Sequence, residues 1–268
     1  MTEQTINPLL QQLRARIPGE TFRLPSLGLF YKNGELDESV QNGEVHVYPL
    51  TTIDEIVLGT PDKLLNGKAV EEVFSRCIPQ IKKPMYLLQK DVDFLLSVLR
   101  LLSYGPTMTM TYKHSCKNAK EHQYEIELSS IVAGVKYVDP TSIEHKYKIT
   151  IRTGQTITFH PPVFKNVVEF YQTLTFNKEN IDENDEAKMQ DHLMKTYANL
   201  INDVDGITHK NMIIEWLKAL PADMFKTFAD SLHVVGEWGL KTTVKKKCVD
   251  CNEEIELDAN TNPISFFL

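Results

Sequence analysis

Three of the four cysteines stand where other metal-binding side chains are close in the chain. Cys248-Val-Asp-Cys251 is a C-x-x-C pair, and Cys116 has His114 two positions before it and His122 six positions after it. Cys77 stands apart. Thiolate sulfur and imidazole nitrogen are the donors that zinc takes, four at a time and tetrahedrally. In a reducing compartment this spacing reads as metal or redox chemistry before it reads as disulfides. The two regions also echo each other: His122 and Cys251 are each followed, at the same offset, by Glu-Ile-Glu-Leu, at 125–128 and 254–257. Each region therefore predicts a strand, a tight turn bearing two ligands and a return strand, which is half of a tetrahedral shell. Two such knuckles facing each other would form a Cys3His site from Cys116, His122, Cys248 and Cys251, with His114 able to stand in for His122. That is a zinc ribbon split by the long stretch between its halves. With four protein ligands the ion has no open position for water, so the expected zinc is structural.

Other readings of the same residues compete. Cys248 and Cys251 could be a reduced pair on a surface turn. A thioredoxin-like redox pair fits less well, because that motif opens a helix within a βαβ unit and here an alternating strand follows. Cys77 lies on the apolar face of a helical pattern and reads as a small buried hydrophobe. The chain has no G-x-G-x-x-G, no G-x-x-x-x-G-K-[ST], no H-E-x-x-H and no G-x-S-x-G. A deaminase zinc site needs H-x-E with P-C-x-x-C, whereas Lys247 precedes Cys248 and His114-Ser-Cys116 lacks the glutamate. Asp54/Glu55 and Glu71/Glu72 read as solvated helix faces, and Lys245-Lys-Lys247 as a solvated strand end.

The elements that would carry the knuckles follow from periodicity. Residues 5–17 predict a short helix capped at Asn7-Pro8. Phe22 to Tyr31 is dense in large apolar groups but broken by Pro25 and Gly28, so it predicts an extended segment laid across a surface. Val45–Tyr48 alternates as a strand, and helices are predicted from Thr52, over 60–67 and over 68–77. Residues 91–104 are apolar almost all round, the mark of a helix at the centre of a domain. Strands are expected at 108–112 and 122–128, and a hairpin over 146–160 turning at Thr153-Gly154. Helices are expected at 163–175, 184–203, 208–219 and 221–235, and two last strands at 240–247 and 253–257. The expected class is α+β: a mixed helical protein with a small antiparallel β unit resembling a split zinc ribbon, and a helical insert. The corresponding division is an N-terminal arm (1–21), an α+β core with the first knuckle (22–160), the insert (161–239), and the second knuckle with a C-terminal tail (240–268).

Composition narrows the function. The 268 residues are 42% hydrophobic and 24% charged, ordinary for a globular protein. The net charge of −7 gives no basic footprint for a phosphate backbone. No apolar run approaches the roughly 20 residues that span a bilayer, and the first residues lack the charged and apolar regions of a cleaved signal.

Phe22-Arg-Leu-Pro-Ser-Leu-Gly-Leu-Phe-Tyr31 resembles the baseplate hub assembly proteins of T4-like contractile-tailed phages. The likeness continues through Val45–Glu55, Leu64–Ala69, Glu71–Ile78 and Asp91–Leu95 to Ser103-Tyr-Gly105 and the first knuckle. It returns at the second knuckle and Ile264-Ser-Phe-Phe267. The resemblance implies a structural or assembly protein of the tail's central hub, without enzymatic activity, whose partners are other hub and tail proteins. It would assemble in the host cytoplasm and could remain in the virion tail; neither membrane nor specific nucleic acid is expected as a partner. An alternative is a tail assembly chaperone, for example for the tape-measure protein; a zinc-dependent enzyme or nucleic-acid-binding ribbon fits less well. Under the assembly reading, Phe22, Leu24, Leu27, Leu29, Phe30, Tyr31, Phe266 and Phe267 are candidate partner contacts. Packing against the chain's own body is the competing use of the same side chains.

Overall fold

The structure, a computed structural model, describes residues 17–259 apart from 33, 117–119, 144–146, 179–183 and 236. The helix expected at 5–17 and the contacts expected of Phe266 and Phe267 lie outside the described residues. In chain order the elements are β1 (Glu20–Arg23), β2 (Glu44–Val47), α1 (Thr52–Leu58), α2 (Pro61–Leu65), α3 (Lys68–Cys77) and α4 (Gln89–Tyr104). Next come β3 (Thr107–Lys113), β4 (Glu121–Glu127), α5 (Leu128–Ala133), β5 (Lys148–Thr150) and β6 (Thr156–Phe159). The remainder are α6 (Phe164–Lys178), α7 (Asn184–Leu200), β7 (Ile201–Val204), α8 (Lys210–Ala219), α9 (Ala222–Val235), β8 (Thr243–Lys247) and β9 (Glu254–Asp258). Every strand pairing between them is antiparallel: β1–β2, β3–β4, β5–β6–β7 and β8–β9. The class is α+β, as the sequence predicts.

Helix α4 is the axis of the larger core. Val92, Phe94, Leu95, Leu96, Val98 and Leu99 are all buried, because a helix with so little polar surface must be covered on most sides. The same core takes in Val70, Val73 and Phe74 of α3, Ile126 of β4, and Ile255 and Leu257 of β9. A second core joins Ile157 and Phe159 of β6 and Ile201 and Val204 of β7 to Ile213 of α8 and Phe228 of α9.

Three local expectations meet a different structure. Residues 201–204 form strand β7 instead of ending a helix: Ile201 and Val204 are both buried although three positions apart, because the pairing with β6 slips by one residue between Thr158↔Asp203 and Phe159↔Ile201, a bulge that breaks the alternation. Asp54 is 1% exposed, not solvated. It accepts from the Thr51 backbone N–H at 2.8 Å and hydroxyl at 2.6 Å and from Arg76 Nε at 2.6 Å, so it is the carboxylate of a capping box.

The third difference concerns the 22–31 segment, which turns on itself against the body instead of running extended across a surface. After β1 the chain turns repeatedly, with Leu27 N–H donating to Leu24 O and Leu29 N–H to Ser26 O. Leu24 is fully buried, Phe22 meets the edge of Phe94, and Phe30 stacks on Trp238. Phe22, Leu27, Phe30 and Tyr31 are half-buried, and Leu29 at 42% is the exposed member. A single buried carboxylate fastens the segment: Asp91 accepts from Ser26 N–H at 3.0 Å and from the Tyr31 hydroxyl at 2.6 Å. That hydroxyl in turn accepts from Leu88 N–H at 2.8 Å, at the start of α4. Apolar composition says that a segment must be covered, not by what; here the chain covers Leu24 fully and Phe22, Leu27, Phe30 and Tyr31 in part.

The close approach of 27–28 to Gly43 gives a test of this packing. A Cβ on Gly43 would sit 2.7 Å from the Leu27 carbonyl carbon, whereas one on Gly34 meets nothing within 4 Å. Both glycines have positive φ, +73° and +69°. Alanine at either site bears a left-handed strain of about 1–2 kcal/mol. Gly43→Ala should be more destabilising than Gly34→Ala in urea titrations, by about 1–3 kcal/mol; equal losses would mean that the backbone at 27–28 does not rest against Gly43.

Candidate metal centre

The two hairpins that carry the cysteines are built alike. In the first, β3 and β4 pair from Thr107↔Glu127 to Lys113↔Glu121, with 114–116 and 120 at the turned end. In the second, β8 and β9 pair from Thr243↔Asp258 to Lys247↔Glu254, leaving 248–253 as the turn. The repeated Glu-Ile-Glu-Leu does the same work in both. Ile126 and Leu128, like Ile255 and Leu257, are buried, while Glu125, Glu127, Glu254 and Glu256 face out. Both hairpins thus share one core, and that brings their turned ends together.

At those ends His114, Cys116, Cys248 and Cys251 converge, with one donor atom from each lying within 4.8 Å of all the others. His114 Nδ1 is 3.4 Å from Cys251 Sγ. Cys116 N–H donates to His114 O at 2.9 Å, a tight bend that turns both side chains to one side. In the second turn Cys248 N–H donates to Glu253 O at 2.8 Å and Asn252 N–H to Cys248 O at 2.9 Å. Asn252 takes the left-handed conformation, φ +60°, that asparagine tolerates better than most residues. Cys248 is buried, 2% exposed, and the other three are half-buried.

The electrostatics suit a cation. The backbone N–H of Cys251 holds the Cys248 thiol down to about 6, helped by the N–H of Asp250 and by His114 and opposed by burial. The backbone N–H of Glu253 also favours a thiolate at Cys251. Burial and the neighbouring sulfurs of Cys248 and Cys116 outweigh it, pushing that thiol up to about 11. The cluster accepts one negative charge readily and resists the next, which a bound cation relieves.

Of the four ligands named from sequence, three meet here and His122 does not. His122 sits in the ladder opposite Tyr112, on the face of β4 that carries Tyr124 and Ile126. Its Nε2 pairs with Asp250 Oδ2 at 2.8 Å, and His114 completes the cluster in its place. Asp250 also accepts from Lys120 N–H at 3.4 Å, and its carboxyl is held below the usual range, first by His122 and then by that N–H. Sequence reasoning gave Asp250 no role; as the inner residue of a C-x-x-C turn it can reach across to a partner hairpin.

The remaining candidates are accounted for. Cys77 is buried and pushed up to about 12, first by desolvation and then by Asp54, so it is held as the neutral thiol. Lys245 pairs with Glu254 at 2.6 Å across the β8–β9 ladder, as a solvated strand end would. No helix of the described residues is long and apolar enough to cross a membrane.

A donor set of three sulfurs and one imidazole, with no carboxylate, is soft. It matches zinc and excludes magnesium and calcium, which take oxygen. His114, Cys116, Cys248 and Cys251 could hold a metal ion, and what such an ion would do here is join two hairpins far apart in sequence.

Comparison with curated proteins and with solved structures returned no match. The sequence profile of the family described as T4 bacteriophage base plate protein matches residues 23–268, nearly the whole chain. That span contains both hairpins, the central helix and the second core, and the chain therefore belongs to the T4 bacteriophage base plate protein family.

Proposed function

We propose that the chain is a non-catalytic part of the hub of a contractile-tail baseplate, acting through contacts with other tail proteins, with its β unit stapled by a structural zinc ion. The family match over 23–268 carries this reading. The chemistry of the candidate site agrees: four convergent protein donors leave no coordination position for a substrate or an activated water. The outer face of α1 supplies surface of the kind that partners cover, with Ile53 and Ile56 at 64% and 66% exposed and one helical turn apart.

The test is whether the protein stays in the finished particle. Quantitative mass spectrometry of purified tails should find it in fixed stoichiometry with the other baseplate proteins, and a pull-down from infected cells should recover those proteins. Recovery with a tail precursor but absence from finished tails would replace this reading with that of an assembly chaperone.

A further inference from the structure

We propose that a single zinc ion is held by Nδ1 of His114 and Sγ of Cys116, Cys248 and Cys251, and that His122, acting through Asp250, positions this set without touching the ion. The inference rests on the structural-zinc reading above and adds to it the identity of the nitrogen ligand and a brace outside the coordination shell.

The ligand assignment follows from reach. Zinc lies roughly 2.3 Å from thiolate sulfur and 2.0–2.1 Å from imidazole nitrogen, so tetrahedral ligands end up about 3.5–3.8 Å apart. His114 Nδ1 is already 3.4 Å from Cys251 Sγ, and all four donor atoms fall within 4.8 Å of one another. His122 Nε2 is engaged by Asp250 at 2.8 Å.

The brace follows from where Asp250 stands. Cys248 and Cys251 are the ends of the turn and belong to the cluster; in its middle the Asp250 carboxylate and the Val249 N–H reach the first hairpin, while the Val249 side chain is exposed. Three links from that hairpin hold the middle: His122 Nε2 and Lys120 N–H to the Asp250 carboxylate, and Val249 N–H to the Tyr124 hydroxyl at 3.4 Å. They fix the rotation of the turn, and that rotation decides whether both sulfurs point at His114 and Cys116. Partners of this kind, outside the ligand shell, typically change metal affinity by roughly 10- to 100-fold. The ligands they align are 137 positions apart, so an unbraced site would have to order both hairpins at the moment of binding.

The experiment uses the full chain, loaded with cobalt(II) or cadmium-113 in place of zinc. The expected result is one metal per chain, with a cobalt spectrum of three sulfurs and one nitrogen and a cadmium–proton correlation to the ring of His114. His122→Ala and Asp250→Ala should keep that spectrum and stoichiometry while losing roughly 10- to 100-fold in affinity by chelator competition. The double variant should lose no more than either single one, and His122→Gln, which can still donate, should recover part of the loss. His114→Ala should change the cobalt spectrum itself. Failure to bind one equivalent would overturn the structural-zinc reading. A cadmium correlation to His122 would overturn the ligand assignment, and it is read on the unsubstituted protein, so it stands even where a variant does not fold. One equivalent bound with unchanged affinity in His122→Ala would overturn the brace.

Discussion

Removing the proposed zinc ion should loosen one end of the protein rather than unfold all of it. With free zinc at a thousand times its dissociation constant, a bound ion adds about 4 kcal/mol to folding stability. At about 2–4 °C per kcal/mol for a chain of this size, chelation should lower the thermal midpoint by on the order of 10 °C. Amide exchange should quicken first in β8 and β9, whose five-residue ladder is paired only with itself among the described residues. The centre of α4, buried within the larger core, should keep its protection. Cys248→Ser should reproduce the loss without chelator, and added zinc should no longer restore it, because the buried sulfur has been replaced by a poor zinc donor. If the chelated protein is free of zinc and melts where the loaded protein does, the ion does not join the hairpins.

How much of this was readable beforehand depends on whether the information was local. The apolar run 91–104 names a buried helix by itself, since no partner is needed to see that it lacks a polar face. The twin Glu-Ile-Glu-Leu segments name two strands with one face each, and the C-x-x-C names half of a candidate metal site. The other half was legible only as a choice between His114 and His122. Spacing along the chain does not report which histidine leaves the strand ladder for the loop; His114 follows the last paired residue of β3, and His122 is still in the ladder. The same limit applies to 22–31, where Pro25 and Gly28 correctly excluded a long strand but said nothing of the Asp91 carboxylate about sixty positions away. For 201–204, the helical pattern of α7 runs straight into a strand whose partner, β6, lies some forty positions earlier. What the sequence withheld was in each case a long-range partner, which local periodicity cannot carry.

Asp91 is where such a partner matters most to stability. Asp91→Ala would leave the Ser26 N–H and the Tyr31 hydroxyl without their acceptor inside the larger core, and should cost about 3–5 kcal/mol. Asp91→Asn separates the charge from the shape. Burial raises the Asp91 carboxyl from its ordinary 3.8 to about 6, although hydrogen bonds from Ser26 and Tyr31 favour the charged form. The folded state therefore binds this proton more tightly than the unfolded chain does. Its contribution to stability is complete below about pH 4 and is lost as pH rises to about 6, a change on the order of 3 kcal/mol. Asparagine has no such proton, so urea titrations of the variant and the parent from pH 4 to 7 should diverge. The variant should gain on the parent by about that amount as pH rises and then hold level above about 6. Contributions from the other titratable groups are common to both proteins and cancel in the difference. A difference that stays flat across the range would mean that the segment from Leu24 to Tyr31 is not anchored on a buried charge.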